Sequence, residues 1–223
     1  MFRNMKYFRY SLLLIPVLFT VFALRGCGFF YRAGVSASCA IIVWIVLRQF
    51  AGKGKWFLIA ALLTSICGDW FMSHTGGNPV RFIYGVCLFF VAHLGFVVFC
   101  LKNGHVNRYV LSIMLTGFLA FFFLALRPAL TQPALFAAVL AYLLVSCFSF
   151  AVATGLHLAT ATRVCFSFGI ALLVFSDTII ALKDFVGHKE LGFLILPTYF
   201  ASHIVIALAM ILEKKRKNTV SLP

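Results

Sequence analysis

The chain has 223 residues, 63% of them hydrophobic and only 11% charged, with a mean hydropathy of +1.06 and a formal net charge of +14. A soluble globular domain is excluded, because its charged share lies near a quarter and its apolar share nearer a half. The alternating pattern of an outer-membrane barrel is absent, and an open sheet would leave backbone groups unbonded in hydrocarbon, so the expected class is an all-α membrane protein.

Eight apolar runs follow in chain order: "YSLLLIPVLFTVFAL", "VSASCAIIVWIVL", "WFLIAALLTSIC", "FIYGVCLFFVAHLGFVVFCL", "YVLSIMLTGFLAFFFLAL", "PALFAAVLAYLLVSCFSFAVA", "VCFSFGIALLVFSDTIIAL" and "LGFLILPTYFASHIVIALAMIL". Most approach the roughly 20 residues that cross about 30 Å of hydrocarbon. The second and third runs are shorter, so they tilt little or extend into their flanks. The breaks "RQFAGKGK" (48–55), "MSHTGGNPVR" (72–81), "KNGHVNR" (102–108) and "KDFVGHKE" (183–190) carry the Gly, Asn and Pro of turns. Pro16, Pro128, Pro133 and Pro197 lie in or near helices, where a proline frees a carbonyl and permits a kink. No long linker interrupts the runs, and one domain over residues 1–223 is expected.

Threading the chain through eight helices places thirteen of the 19 Lys and Arg on one side, among them Arg3, Lys6, Arg9 and the terminal Lys214, Lys215, Arg216 and Lys217. Arg25, Arg32, Arg81, Arg127, Lys183 and Lys189 fall on the other. The positive-inside rule then predicts a polytopic bundle of eight transmembrane helices with both termini cytoplasmic, in a cell membrane such as the bacterial inner membrane. The basic end "EKKRKN" reads as a contact with anionic lipid heads and not with nucleic acid. The first run reads as a retained helix, since Arg25 fits poorly in a cleavage box before Cys27. The seven cysteines form no C-x-x-C pair and read as small packing residues.

Only five acids occur in the whole chain. Glu213 belongs to the last helix end, and Asp184 and Glu190 to the final outer break. Asp69, in "TSICGDWFMSHTGG", and Asp177, in "LLVFSDTIIAL", remain near the outer ends of the third and seventh helices. Both helices run in the same direction, so the two carboxyls reach similar depth. A buried carboxyl costs several kcal/mol unless it is paired, hydrated or protonated, so such residues face a bundle interior or a wet cavity. Two close together resist double ionisation, which leaves one acid and one base available. The plainer alternative is that each Asp caps a helix end or binds a neighbouring Lys.

Two histidines join them. Gly85, Phe89 and His93 recur at i, i+4 and i+8 on the fourth helix, with the glycine permitting close helix approach. His203 follows Tyr199 by one turn on the last helix. No metal site is expected, because no helix carries H-E-x-x-H or a His pair. No cofactor is expected either, for want of a Walker or dinucleotide-binding glycine loop. Serine chemistry lacks its G-x-S-x-G elbow.

Taken together, "CGDWFM", "YGVCLFFVAHLGF", "GIALLVFSDTIIAL" and "YFASHIVIA" resemble the YhhN family of membrane proteins, whose animal members are lysoplasmalogenases. The family pattern has a G-D pair ending the third helix, G-x3-F-x2/3-H on the fourth, S-D on the seventh, and a Tyr with a polar residue on the last. Gly68, Asp69, Gly85, Phe89, His93, Ser176, Asp177, Tyr199 and His203 occupy those places, across residues 56 to 212. Where the family commonly has a Tyr three residues after its histidine, this chain has Phe96.

The resemblance implies a hydrolase that cleaves the vinyl ether of a lysoplasmalogen to a fatty aldehyde and glycerophospho-choline or -ethanolamine. Protonation of the β carbon leaves an oxocarbenium ion, to which water adds, so one carboxylic acid and one carboxylate suit the chemistry. Asp69 and Asp177 are the expected catalytic pair, with His93, His203, Tyr199 and Ser176 supporting them. Arg81, Lys183, His188 and Lys189 are candidate ligands of the substrate phosphate. The alternatives are a proton-coupled lipid or solute transporter and a hydrolase of another lysophospholipid.

Overall fold

The computed structural model describes residues 10–48 and 54–220, with side chains as far as Glu213. Arg3, Lys6, Arg9, Lys53 and the side chains of Lys214, Lys215, Arg216 and Lys217, on which much of the charge bias rests, lie outside the described residues. Among the described residues eight α-helices of ten residues or more follow in order: α1 (Leu14–Leu24), α2 (Phe29–Leu47), α3 (Lys55–Ser73), α4 (Pro79–Lys102), α5 (Arg108–Phe121), α6 (Pro133–Thr154), α7 (Thr160–Ala181) and α8 (Ile195–Val220). Among the described residues there is no strand, only a short antiparallel backbone bridge between Gly104 and Leu156.

Seven of these helices, counted with the short turns that continue α5 and α7 and precede α8, are long and apolar enough to cross a membrane. The short second and third runs do extend into their flanks, starting at Phe29 and Lys55 to give 19 residues each. At 1.5 Å per residue that is about 28 Å, close to the hydrocarbon thickness. The exception is α1, whose 11 residues reach only about 16 Å. It stops before Gly26 and Gly28, which adopt φ of +77° and +103°, a backbone that side-chain-bearing residues rarely enter.

The prolines serve as helix starters more than kinks. Pro79 and Pro133 open α4 and α6, and Pro197 falls in the first turn of α8, where no intrahelical partner for its missing N–H exists. Asn78 caps α4 by accepting the Val80 N–H at 2.9 Å, and Asn107 caps α5 by accepting the Val110 N–H at 3.3 Å. α5 and α7 each end in a π turn, Phe122–Leu126 and Leu182–Val186. The second of these carries Lys183 and Asp184 to the cavity described below.

Helix contacts close a ring in the order α2, α3, α4, α6, α7, α8 and back to α2, with α1 packed outside on α2 and α8, and α5 outside on α6. Lipid is as apolar as leucine, so close approach and dispersion, not burial from water, hold such a ring together. Glycine supplies the close approaches. A Cβ on Gly68 of α3 would lie 2.9 Å from the Phe89 ring, one on Gly85 of α4 would lie 2.8 Å from Met72 Sδ, and one on Gly169 of α7 would lie 3.1 Å from the Ser202 carbonyl oxygen on α8. At the other end of the bundle, Gly104 and Gly155 cross so tightly that a Cβ on Gly155 would overlap the carbonyl oxygen of His105. His105 N–H donates to the Gly155 carbonyl there, and His157 N–H to that of Asn103.

Candidate active site

Where α3 and α7 end, the ring encloses a cavity of about 240 Å³. Asp69 comes to it from the last part of α3, because Lys55–Ser73 runs on a full turn past the apolar stretch. Asp177 comes from α7, one turn before its end at Ala181. Both acids therefore line one space, together with Phe89 of α4 and Tyr199 of α8. Asp69 is 8% exposed and the Asp177 side chain 13%.

Each acid has its own buried partner. His93 Nε2 lies 3.4 Å from Asp177 Oδ2, a long contact that a small rotation would tighten into a hydrogen bond. The Tyr142 ring of α6 stands edge-on to His93, with centroids 5.3 Å apart, and its hydroxyl is within reach of the same carboxylate. On the other side, the Tyr199 hydroxyl sits beside Asp69, Ser36 and Ser65, yet it makes no hydrogen bond of good geometry to any of them. Asp69 Oδ2 likewise has no protein partner.

His203 does not line the cavity. It is fully buried one turn below Tyr199, edge-on to that ring at 4.6 Å, and close enough to His93 for the two imidazoles to interact electrostatically. Both its ring nitrogens, and His93 Nδ1, lack protein partners. Ser176 has a structural bond, donating its hydroxyl to the Ile195 carbonyl at 3.0 Å and so tying α7 to the first residue of α8. Asp177, His93, His203, Tyr199 and Asp69 are thus successive buried neighbours, related by the long His93–Asp177 contact and by ring packing of Tyr199 on His203. Buried polar groups without protein partners are normally bonded to water, so these side chains are suited to hold and orient it.

The four expected phosphate ligands separate. Lys183 lines the cavity. Arg81 turns away and donates from Nη1 to the His74 carbonyl at 2.8 Å, His188 Nδ1 lies 2.9 Å from Glu190, and Lys189 is exposed in the last loop, outside the cavity lining. Three lining or neighbouring residues were not anticipated: Arg32, Asp184 and Tyr142. Phe96 stands edge-on to His93 at 6.2 Å, so the hydroxyl beside this histidine comes from Tyr142 on another helix. Among the described residues no group of three or more His, Cys, Asp or Glu converges as metal ligands, and all seven cysteines are free.

Two apolar clefts meet this cavity at Asp177. One lies between Phe82, Val86, Phe89, Tyr142 and Phe185, the other between Phe118, Leu126, Leu143, Tyr142 and Val174, and Asp177 borders both. A single acid therefore marks the junction of polar and apolar space.

Fold and cavity together define a polytopic helical membrane protein with two carboxyls in one intramembrane chamber. The profile of the YhhN family matches residues 30–210, from the first turn of α2 into α8, and the chain belongs to that family. No curated protein and no solved structure matches the chain.

Proposed function

We propose that the protein is an intramembrane hydrolase that cleaves the vinyl ether of lysoplasmalogens, releasing a fatty aldehyde and glycerophospho-choline or -ethanolamine. The observation that carries this reading is that Asp177 stands at the junction of a polar cavity, which it shares with Asp69, and two apolar clefts. An amphiphile with one chain places its head-to-chain linkage at such a junction.

Asp177, bordering the clefts, gives its proton to the β carbon of the alkenyl chain, and the double-bond electrons form the new C–H bond. The α carbon becomes an oxocarbenium ion bonded to the ether oxygen. Asp69, beside Tyr199, stabilises that cation and takes a proton from the water that adds to it. The hemiacetal then collapses: the Asp177 carboxylate takes its hydroxyl proton, the C–O bond to glycerol breaks, and Asp69 passes its proton to the glycerol oxygen, which restores both groups. One water is consumed per aldehyde released. Such general acid and base steps are each worth roughly 10²–10⁴-fold. His93 and Tyr142 hold Asp177, and His203 packs edge-on to Tyr199. The charge bias of the sequence supports placing this chamber on the non-cytoplasmic side of the membrane.

The test is mass spectrometry of a lysolipid panel, comprising vinyl ether, ester and alkyl ether, incubated with purified wild type and with Asp177→Asn. Aldehyde from the vinyl ether alone, lost in the variant, is the expected result. No aldehyde from wild type, or full activity in Asp177→Asn, would sink the proposal. Counterflow of labelled lysolipid without product would point to transport instead.

A further inference from the structure

We propose that Arg32 and Lys183 form an anion subsite at the mouth of the cavity that binds the phosphodiester of a zwitterionic lipid head, with Asp184 facing its ammonium group. The assignment rests on reading the cavity as a lysolipid site. Arg32 projects from the first turn of α2 into the cavity wall shared with Asp69, Ser73 and Tyr199. It is half-buried, and Nη1 donates to Ser73 Oγ at 3.1 Å. A guanidinium has five N–H donors in a planar fork. Among the described residues no carboxylate forms an ion pair with Arg32, although Asp69 lies close enough to feel its charge.

A half-buried cation at the edge of hydrocarbon is costly unless it meets an anion. Arg32 lines the cavity, with Nη1 engaged by Ser73. Lys183 reaches the same mouth from the π turn after α7, 41% exposed and 3.4 Å from Asp184. Two cations and a carboxylate on one cavity supply the charges that a phosphodiester and its ammonium group require. A fork matches two phosphate oxygens, and a lysine adds a point charge. With the phosphate fixed at Arg32, the chain linkage falls toward Asp177 and the chain into the clefts.

The experiment is equilibrium binding to the purified full chain in nanodiscs, with no turnover involved. The probes are an alkyl-ether lysophosphatidylcholine, the matching alkylglycerol without phosphate, and inorganic phosphate. Arg32→Gln is expected to weaken the phospholipid about tenfold or more and leave the alkylglycerol unchanged, with Arg32→Lys intermediate. Lys183→Gln, altering a more exposed side chain, is expected to shift binding in the same direction by a smaller factor, which guards against a folding defect in the Arg32 variants. Equal losses for both lipids, or no loss for either, would overturn the subsite. So would inorganic phosphate binding wild type as tightly as the phospholipid does, since the site would then serve free phosphate. If the binding pattern holds while wild type releases no aldehyde, the hydrolase reading fails and the subsite stands. If aldehyde release occurs and Arg32→Gln binds normally, the reverse is true.

Discussion

His93 Nε2 stands 3.4 Å from Oδ2 of Asp177, although the two are 84 residues apart in the chain. The contact joins α4 to α7 inside the ring, and Tyr142 of α6 completes it from a third helix. Tyr142→Phe is therefore expected to lower kcat for the vinyl ether about tenfold with little change in KM, the value of one hydrogen bond to a charged group. His93→Gln should lower kcat further, because it also loosens the orientation of the carboxylate. Steady-state aldehyde release measures both, and a Tyr142→Phe enzyme with unchanged kcat would remove that hydroxyl from the mechanism.

Asp69 and Asp177 contribute different steps in the proposed reaction. Each Asn variant alone is expected to lose at least about 100-fold in rate. The double variant should be little worse than the poorer single one, since residues acting as a unit are not additive. Multiplying losses, read in single-turnover assays, would show that the acids act independently.

Two glycine crossings of different kinds, one against a side chain and one against backbone, make a comparison of stability. Gly68→Ala meets the Phe89 ring, a side chain that can turn, and should cost about 1–3 kcal/mol, seen as a lower melting temperature in detergent. Gly155→Ala meets the backbone oxygen of His105, which cannot yield without breaking the bridge between the loops. It should melt lower than Gly68→Ala. The opposite order would mean that the loop crossing is softer than its geometry implies.

Helix number and the two acids were legible in the sequence because hydrocarbon imposes a simple rule: long apolar runs span, and a charge within one must be explained. Asp69 and Asp177 stand out against neighbours such as Ile66 and Ile179 for that reason alone. The length of α1 was not legible, because the apolar run begins at Tyr10 while this helix begins at Leu14, after a turn at Leu12 and Leu13 that hydropathy does not mark. Arg32 was missed because the apolar run begins at Val35, while the helix begins at Phe29 and brings the arginine inside the bundle. Arg81, Lys183, His188 and Lys189 looked equivalent in sequence. Only side-chain direction separates them, and the π turn after α7 sets that direction for Lys183. Tyr142 was hidden as one aromatic among many in an apolar helix.

One consequence follows from where α3 ends. A helix gathers partial negative charge on its last free carbonyls, so an acid near the C-terminus is placed against the macrodipole, at about 0.3–1 kcal/mol. Asp69 lies just before the last turn of α3, with one carboxyl oxygen lacking any protein partner. The bundle tolerates this acid at a loss in its own stability. Asp69→Asn, nearly the same size and uncharged, is therefore expected to raise the melting temperature while abolishing turnover. A variant that is both dead and more heat-resistant would show that the fold is held in tension by its own chemistry.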